Sequence, residues 1–211
     1  MRKIASWFEE NRNCSFLDVG SSIGLYSALA LNVAPDSRVY AFDADLVSLK
    51  TLLALCLHQS KGRINPVYGL VSDQHTSEIR AAEASRTTKA LLESSHISAD
   101  PAQCAFVCID GSSHAEIPRY SLDGLFPLET DENRPCMIKC DVEGAELLVL
   151  RGSEKFIHRR RPTLLISVHE ALGGFGFSKS DVSHWLETQG YSHRVIAVDH
   201  EEHWWCDPIA S

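Results

Sequence analysis

The 211-residue chain is short of positive charge: 20 lysines and arginines stand against 28 aspartates and glutamates, a formal net charge of −8. A surface of that sign repels a phosphate backbone. The one basic run, Arg159-Arg160-Arg161, is too short for the several phosphate contacts that non-specific binding uses, so nucleic acid is not expected as a partner. No apolar stretch approaches the roughly 20 residues that cross a bilayer, and no membrane span is expected. Internal repeats, low-complexity tracts and long linkers are missing too. The start, Met1 to Glu10, is basic, but Glu9 and Glu10 arrive before a signal-peptide core could form, so residues 1–12 read as a short amphipathic helix. An even set of cysteines is also lacking. Seven of them (Cys14, Cys56, Cys104, Cys108, Cys136, Cys140, Cys206) are scattered through a chain long enough to build its own core, which argues for reduced thiols and a cytoplasmic location. The pairs Cys104/Cys108 and Cys136/Cys140 sit in apolar, strand-like sequence with three residues between partners. That suits buried thiols better than a structural zinc site.

What is present is a globular composition, 44% hydrophobic and 23% charged, over a length that suits one domain (1–211) carrying an insertion. Strand and helix patterns alternate. Phe16–Val19, Arg38–Phe42, Ile64–Val71, Cys136–Cys140 and Thr163–Val168 read as strands. Between them lie helical patterns over Leu25–Val33, over Leu46–Leu57, and from Ala145 past Phe156 to a stop at Pro162. Ser178-Lys179-Ser180-Asp181 reads as a capping box opening a helix that Gly190 ends, and Tyr191–Val198 and His203–Cys206 form a terminal antiparallel hairpin. This is an α/β, doubly wound, mostly parallel sheet. Residues 74–135 break the rhythm with strand-like stretches at Cys104–Ile109 and Ile117–Leu122. They read as an inserted region between the third and fourth strands that sets substrate specificity.

Ligands of such sheets sit beyond the carboxyl ends of the strands, so the residues just after each apolar run are informative. The first strand leads into Asp18-Val19-Gly20-Ser21-Ser22-Ile23-Gly24. Gly20 lets the backbone approach a ligand, and Gly24 opens a helix whose N-terminus favours a negative group. Asp43, about 20 residues past the turn, is placed to accept the two hydroxyls of a ribose, with Ala44 beside it; Asp73 is placed to accept from an adenine amine. The turn lacks the middle glycine that lets a pyrophosphate lie on the backbone, and Asp18 in its mouth suits a cationic ligand. S-adenosylmethionine, with its ammonium, sulfonium, carboxylate and ribose, fits these features.

Three segments resemble the FkbM-type methyltransferases: Phe16-Leu17-Asp18-Val19-Gly20-Ser21-Ser22-Ile23-Gly24-Leu25-Tyr26-Ser27, Tyr120-Ser121-Leu122-Asp123, and the more specific run from Ile138 through Asp141-Val142-Glu143-Gly144 to Gly152. The resemblance extends from about Cys14 to Glu170. It implies a seven-stranded, Rossmann-like class I methyltransferase fold, S-adenosylmethionine as cofactor, and O-methylation of sugars or secondary metabolites. Two departures stand out: Asp43-Ala44-Asp45 replaces the family's usual Glu-Pro-Asn, and Ser22 replaces an asparagine that contacts the methionine end of the cofactor.

Transfer to an alcohol needs alignment with the methyl group and a base. The strand-end candidates are Lys139, Asp141, Glu143, His169 and Glu170, of which Asp141 and His169 are preferred as the catalytic pair. Glu146 and Lys139 read as structural, forming a salt bridge or cap. Asp141, Glu143, His169 and Glu170 could also hold magnesium or manganese, which carboxylates and one imidazole suit, an alternative not favoured because the spacing alone proves nothing. Arg159 to Arg161 read as a solvated face at a helix C-terminus, and at least one of Trp204 and Trp205 as core. The expected partner is a small hydroxyl acceptor (a sugar, glycolipid or natural product), with a homodimer open. The rival readings are an NAD(P)-dependent oxidoreductase and a non-catalytic binding module.

Overall fold

The computed structural model describes residues 1–60, 62–76, 78–94, 117–127, 133–169 and 175–209. In chain order the elements are α1 (Arg2–Glu10), β1 (Ser15–Val19), α2 (Leu25–Val33), β2 (Arg38–Asp43), α3 (Leu46–Leu55), α4 (Leu57–Ser60), β3 (Ile64–Tyr68), β4 (Leu70–Val71) and α5 (Ala81–Ser94). They continue with β5 (Arg119–Tyr120), α6 (Leu122–Leu125), β6 (Cys136–Cys140), α7 (Glu146–Arg151), α8 (Glu154–Arg160), β7 (Thr163–Val168), α9 (Lys179–Thr188), β8 (Tyr191–Val198) and β9 (Glu202–Pro208).

Seven strands form one sheet in the order β3-β2-β1-β6-β7-β9-β8. The first five are parallel, and β9 pairs antiparallel with both β7 and β8. The doubly wound sheet with its terminal hairpin therefore has the architecture read from the strand patterns. Neighbouring residues along a strand point to opposite faces, and the two apolar cores follow that period of two. Leu17, Ile138, Leu164 and Trp204 face one core with α7, α8 and α9; Phe16, Met137, Leu165 and Trp205 face the other with α1, α2 and α3. Both tryptophans are thus core residues, one on each side.

Several boundaries differ from the sequence patterns. The apolar run Ile64–Val71 divides at Gly69, because β4 leaves the main sheet to pair with β5. Of the strand-like stretch Ile117–Leu122 only Arg119–Tyr120 is strand; Ser121 then accepts from Gly124 N and caps α6. The stretch Cys104–Ile109 lies outside the described residues. The Leu46–Leu57 pattern breaks at Cys56 into α3 and α4. The long helix after β6 is two helices, because the Ser72 carbonyl presses against Gly152, where a Cβ would lie 2.0 Å from it, and Asp123 caps a new start. Its carboxylate accepts from Phe156 N at 2.7 Å and Lys155 N at 3.1 Å. The arginine run is less solvated than its charge suggests, since each guanidinium donates to a backbone carbonyl: Arg159 to Phe126, Arg160 to Arg134, and Arg161 to Gln189 and Gly190. Within 74–135, α5 packs against β3 and α6 against α8. Among the described residues no helix is long and apolar enough to cross a membrane.

Candidate functional site

The strand order reverses between β1 and β6, and a cleft of about 220 Å³ opens there, beyond the carboxyl ends of β1, β2 and β6. One wall is the turn from Gly20 to Ile23 with Leu25 and Tyr26; a second is Phe42, Asp43, Ala44, Leu70 and Val71; the third is Lys139, Asp141, Val142 and Glu143.

The two loops that meet under the cleft are fitted to each other at Gly20. Its φ is +72°, and a Cβ there would lie 1.8 Å from the Asp141 carbonyl. The glycine serves loop-to-loop contact as well as access. Asp18 does not stand in the mouth of the site. It is fully buried beneath the turn, where Ser27 Oγ donates to it at 2.7 Å and Lys139 Nζ lies 3.6 Å away. Lys139 also donates to the Gly20 carbonyl and lies 3.5 Å from Asp141. Burial works against the lysine's charge, but Asp18 and Asp141 outweigh it and hold its pKa above the ordinary lysine value.

Asp43 lines the cleft. Its two oxygens accept from Ser22 N at 2.7 Å and Asp45 N at 2.9 Å. Burial pushes its carboxyl up to about 6 despite those two bonds, which pull the other way. Ser22 and Ala44 line the same wall. Gly24, at φ +85°, is the N-cap of α2, packed on Leu52 and outside the lining. Asp73 is exposed and also outside the lining, its backbone against Gly152.

At the third wall the structure gathers groups that are far apart in sequence. The buried His169 Nδ1 bonds Glu146 Oε1 at 2.8 Å. Its Nε2 faces Glu201 at 3.3 Å, Glu143 at 3.6 Å and Asp141 at 3.8 Å. Burial alone would lower the imidazole's pKa; the Glu146 hydrogen bond and the charges of Glu146, Glu143 and Asp141 reverse this and raise it to about 9. Glu146 also accepts from Gly144 N at 3.0 Å, and Glu143 holds a left-handed backbone at φ +54°. Asp141 and His169 are therefore neighbours, whereas Glu170 lies outside the described residues. Lys139 forms salt bridges, with Asp18 and Asp141, and Glu146 accepts from the Val142 and Gly144 N–H groups ahead of α7, the bridge and cap expected of them; Lys139 thus touches Asp141, and Glu146 touches His169. Lys139 had a signal in the sequence, a lone ammonium in an apolar strand run. Glu201 had none, because only the hairpin brings it to His169.

A family model described as methyltransferase FkbM domain matches residues 18–193. Among solved structures, the chain is similar to a methyltransferase FkbM from Methylobacillus flagellatus KT, at 18% identity over 93% of this chain and 44% of that one, with a TM-score of 0.57. It is similar to a putative caffeoyl-CoA O-methyltransferase from Staphylococcus aureus (12% identity, 98% and 81% covered, TM-score 0.54). A SAM-dependent methyltransferase from Aquifex aeolicus matches at 13% identity over 99% and 89%, with a TM-score of 0.52. Likenesses at this identity show the fold, that of class I methyltransferases. The chain spans less than half the length of the Methylobacillus protein. No curated protein matches it.

Proposed function

Because the chain belongs to the FkbM methyltransferase family, we propose that this methyltransferase uses S-adenosylmethionine to methylate a hydroxyl of a small molecule, a sugar, glycolipid or natural product. The observation that carries the reading is Asp43. It is locked by two backbone N–H groups at the rim of a cleft at the sheet's switch point, and each carboxylate oxygen keeps a lone pair for a further donor.

The residues present fit the cofactor. Asp43 would accept from the ribose hydroxyls, Phe42, Leu70 and Val71 offer an apolar wall for a flat base, and the backbone of Gly20 to Ser22 with Ala44 completes the cradle. Asp141 and Glu143 give the opposite end the negative charge that an ammonium and a sulfonium require. When bound, S-adenosylmethionine supplies an electrophilic methyl group. Asp18 contributes through the turn it supports, Gly24 through its packing on Leu52, and Asp73 is left without a contact role.

The chain's own part is to align the acceptor and manage its proton. Of the two preferred residues Asp141 lines the cleft whereas His169 lies behind it, so Asp141 is placed to receive the acceptor proton and His169 to flank it. Within the region 74–135, β5 supports the cofactor end of the cleft, because its partner β4 supplies Leu70 and Val71 to the wall for the base. Calorimetric titration with S-adenosylmethionine, with NADH as control, tests the reading. Micromolar binding of the first alone, weakened roughly 10- to 150-fold in Asp43→Asn, is expected; binding of NADH alone would transfer the protein to the oxidoreductases.

A further inference from the structure

Four carboxylates from separate parts of the chain converge on one imidazole: Asp141 and Glu143 from the loop after β6, Glu146 from α7 and Glu201 from the turn before β9. Negative groups packed this closely repel one another unless a cation sits among them, a place that the protonated imidazole fills and that a metal ion can take in exchange for its proton. The imidazole itself is arranged as a ligand. Its side chain is 3% exposed, and Nδ1 is fixed by Glu146, which is equally buried. His169 Nε2 is aimed at the carboxylates, with Glu201 at 3.3 Å, Glu143 at 3.6 Å and Asp141 at 3.8 Å. A histidine whose far nitrogen is held by a carboxylate while the near one points into an oxygen-rich space is the arrangement by which proteins orient metal ligands.

The neighbouring cluster of Asp199, Glu201 and His203 shows the contrast. There both ring nitrogens are engaged, Nδ1 with Ser167 at 3.0 Å and Nε2 with Asp199 at 3.2 Å. The distances at His169 suit one ion. With bonds of about 2.1 Å, neighbouring ligand atoms lie about 3 Å apart and opposite ones about 4.2 Å. The donor atoms of Asp141, Glu143 and His169 all lie within 4.8 Å of one another.

We propose that Asp141, Glu143 and His169 bind one divalent cation of the manganese class at the wall of the cleft, with Glu146 orienting the histidine and Glu201 as an outer acceptor. One nitrogen with hard oxygens favours such an ion over calcium. Only the purpose of the site rests on the methyl-transfer reading: Asp141 and Glu143 line the cleft, so the ion would bind the acceptor oxygen and ease loss of its proton.

The test is a titration of the metal-stripped full chain with Mn2+, followed by electron paramagnetic resonance of the free ion, with circular dichroism of every variant. One equivalent bound at micromolar affinity is expected. Glu143→Gln, at a half-exposed position, and His169→Gln should weaken it about tenfold or more, and Glu146→Gln about 10- to 100-fold, while Asp199→Asn leaves it unchanged. No binding at millimolar Mn2+, or binding indifferent to Glu143→Gln, overturns the proposal. The same samples are titrated with S-adenosylmethionine. Cofactor binding without Mn2+ binding overturns the metal site alone, and Mn2+ binding without cofactor binding overturns the methyl-transfer reading alone.

Discussion

The two halves of the cleft are built differently. On the β1 and β2 side the polar lining is mostly backbone and serine with a single carboxylate among the described residues, Asp43, while Asp18 is buried and paired beneath the floor. On the β6 and β7 side the surface is side-chain charge, Asp141 and Glu143 backed by His169, Glu146 and Glu201. The first half holds a ligand by shape and a few directed hydrogen bonds. The second concentrates charge where a proton must move. Lys139 joins them, touching Asp18 and the Gly20 carbonyl on one side and Asp141 on the other.

That junction is the place to break the comparison most severely. Asp18→Ala strands the buried Lys139 ammonium without its deepest partner, and breaking a buried pair in this way costs about 3–5 kcal/mol. Urea denaturation should show a loss of that size. A loss under about 1 kcal/mol would mean that the two halves are not held together here. Asp43 should behave in the opposite manner. Asp43→Asn removes an ionised acceptor and should cost about 1.5–3 kcal/mol in S-adenosylmethionine affinity, roughly 10- to 150-fold by calorimetry.

Its titration sharpens the point. The unfolded carboxyl ionises near 3.8 and the folded one near 6, so the folded chain holds the extra proton between these values. Asp43 therefore makes stability fall as pH rises from about 4 to 6, and the full cost of its charge is present above that. Cofactor affinity should move the other way, rising with pH through 6 as the acceptor ionises. Denaturation midpoints and titrations across pH 4 to 7 check both slopes, which Asp43→Asn should abolish.

The halves also differed in how far they could be read from sequence. The first is local: Asp18 to Gly24 is one turn, and Asp43 follows at the end of the next strand, so strand order and the strand-end rule suffice to place it. Even there the direction of Asp18 was not legible, because its burial depends on Lys139, 121 positions away in the chain, and on Ser27 one helix turn into α2. The second half is assembled from a distance. Glu146 and His169 meet only because β6 and β7 are adjacent, and Glu201 arrives only because β9 lies beside β7. The fold followed from apolar periodicity, which is written in every strand. Where it failed, at Gly69 and Gly152, the cause was a backbone contact with a distant segment, which periodicity does not encode.

The smallest expected effect asks whether a family-like segment belongs to either half. Tyr120-Ser121-Leu122-Asp123 carries part of the resemblance, yet Asp123 lies outside the cleft lining and accepts from Phe156 N and Lys155 N at the start of α8. A carboxylate in that position satisfies donors that a helix start leaves free, and replacing it with alanine costs about 1 kcal/mol. Asp123→Ala should therefore lower stability by that amount while leaving S-adenosylmethionine affinity and Mn2+ affinity unchanged. The cap holds α8, and α8 presses Phe156 into the core beneath the second half of the cleft. A change in either affinity at full folding would show that this scaffold transmits to the site, and the division between a ligand-holding half and a charge-bearing half would then extend to the helix layer beneath them.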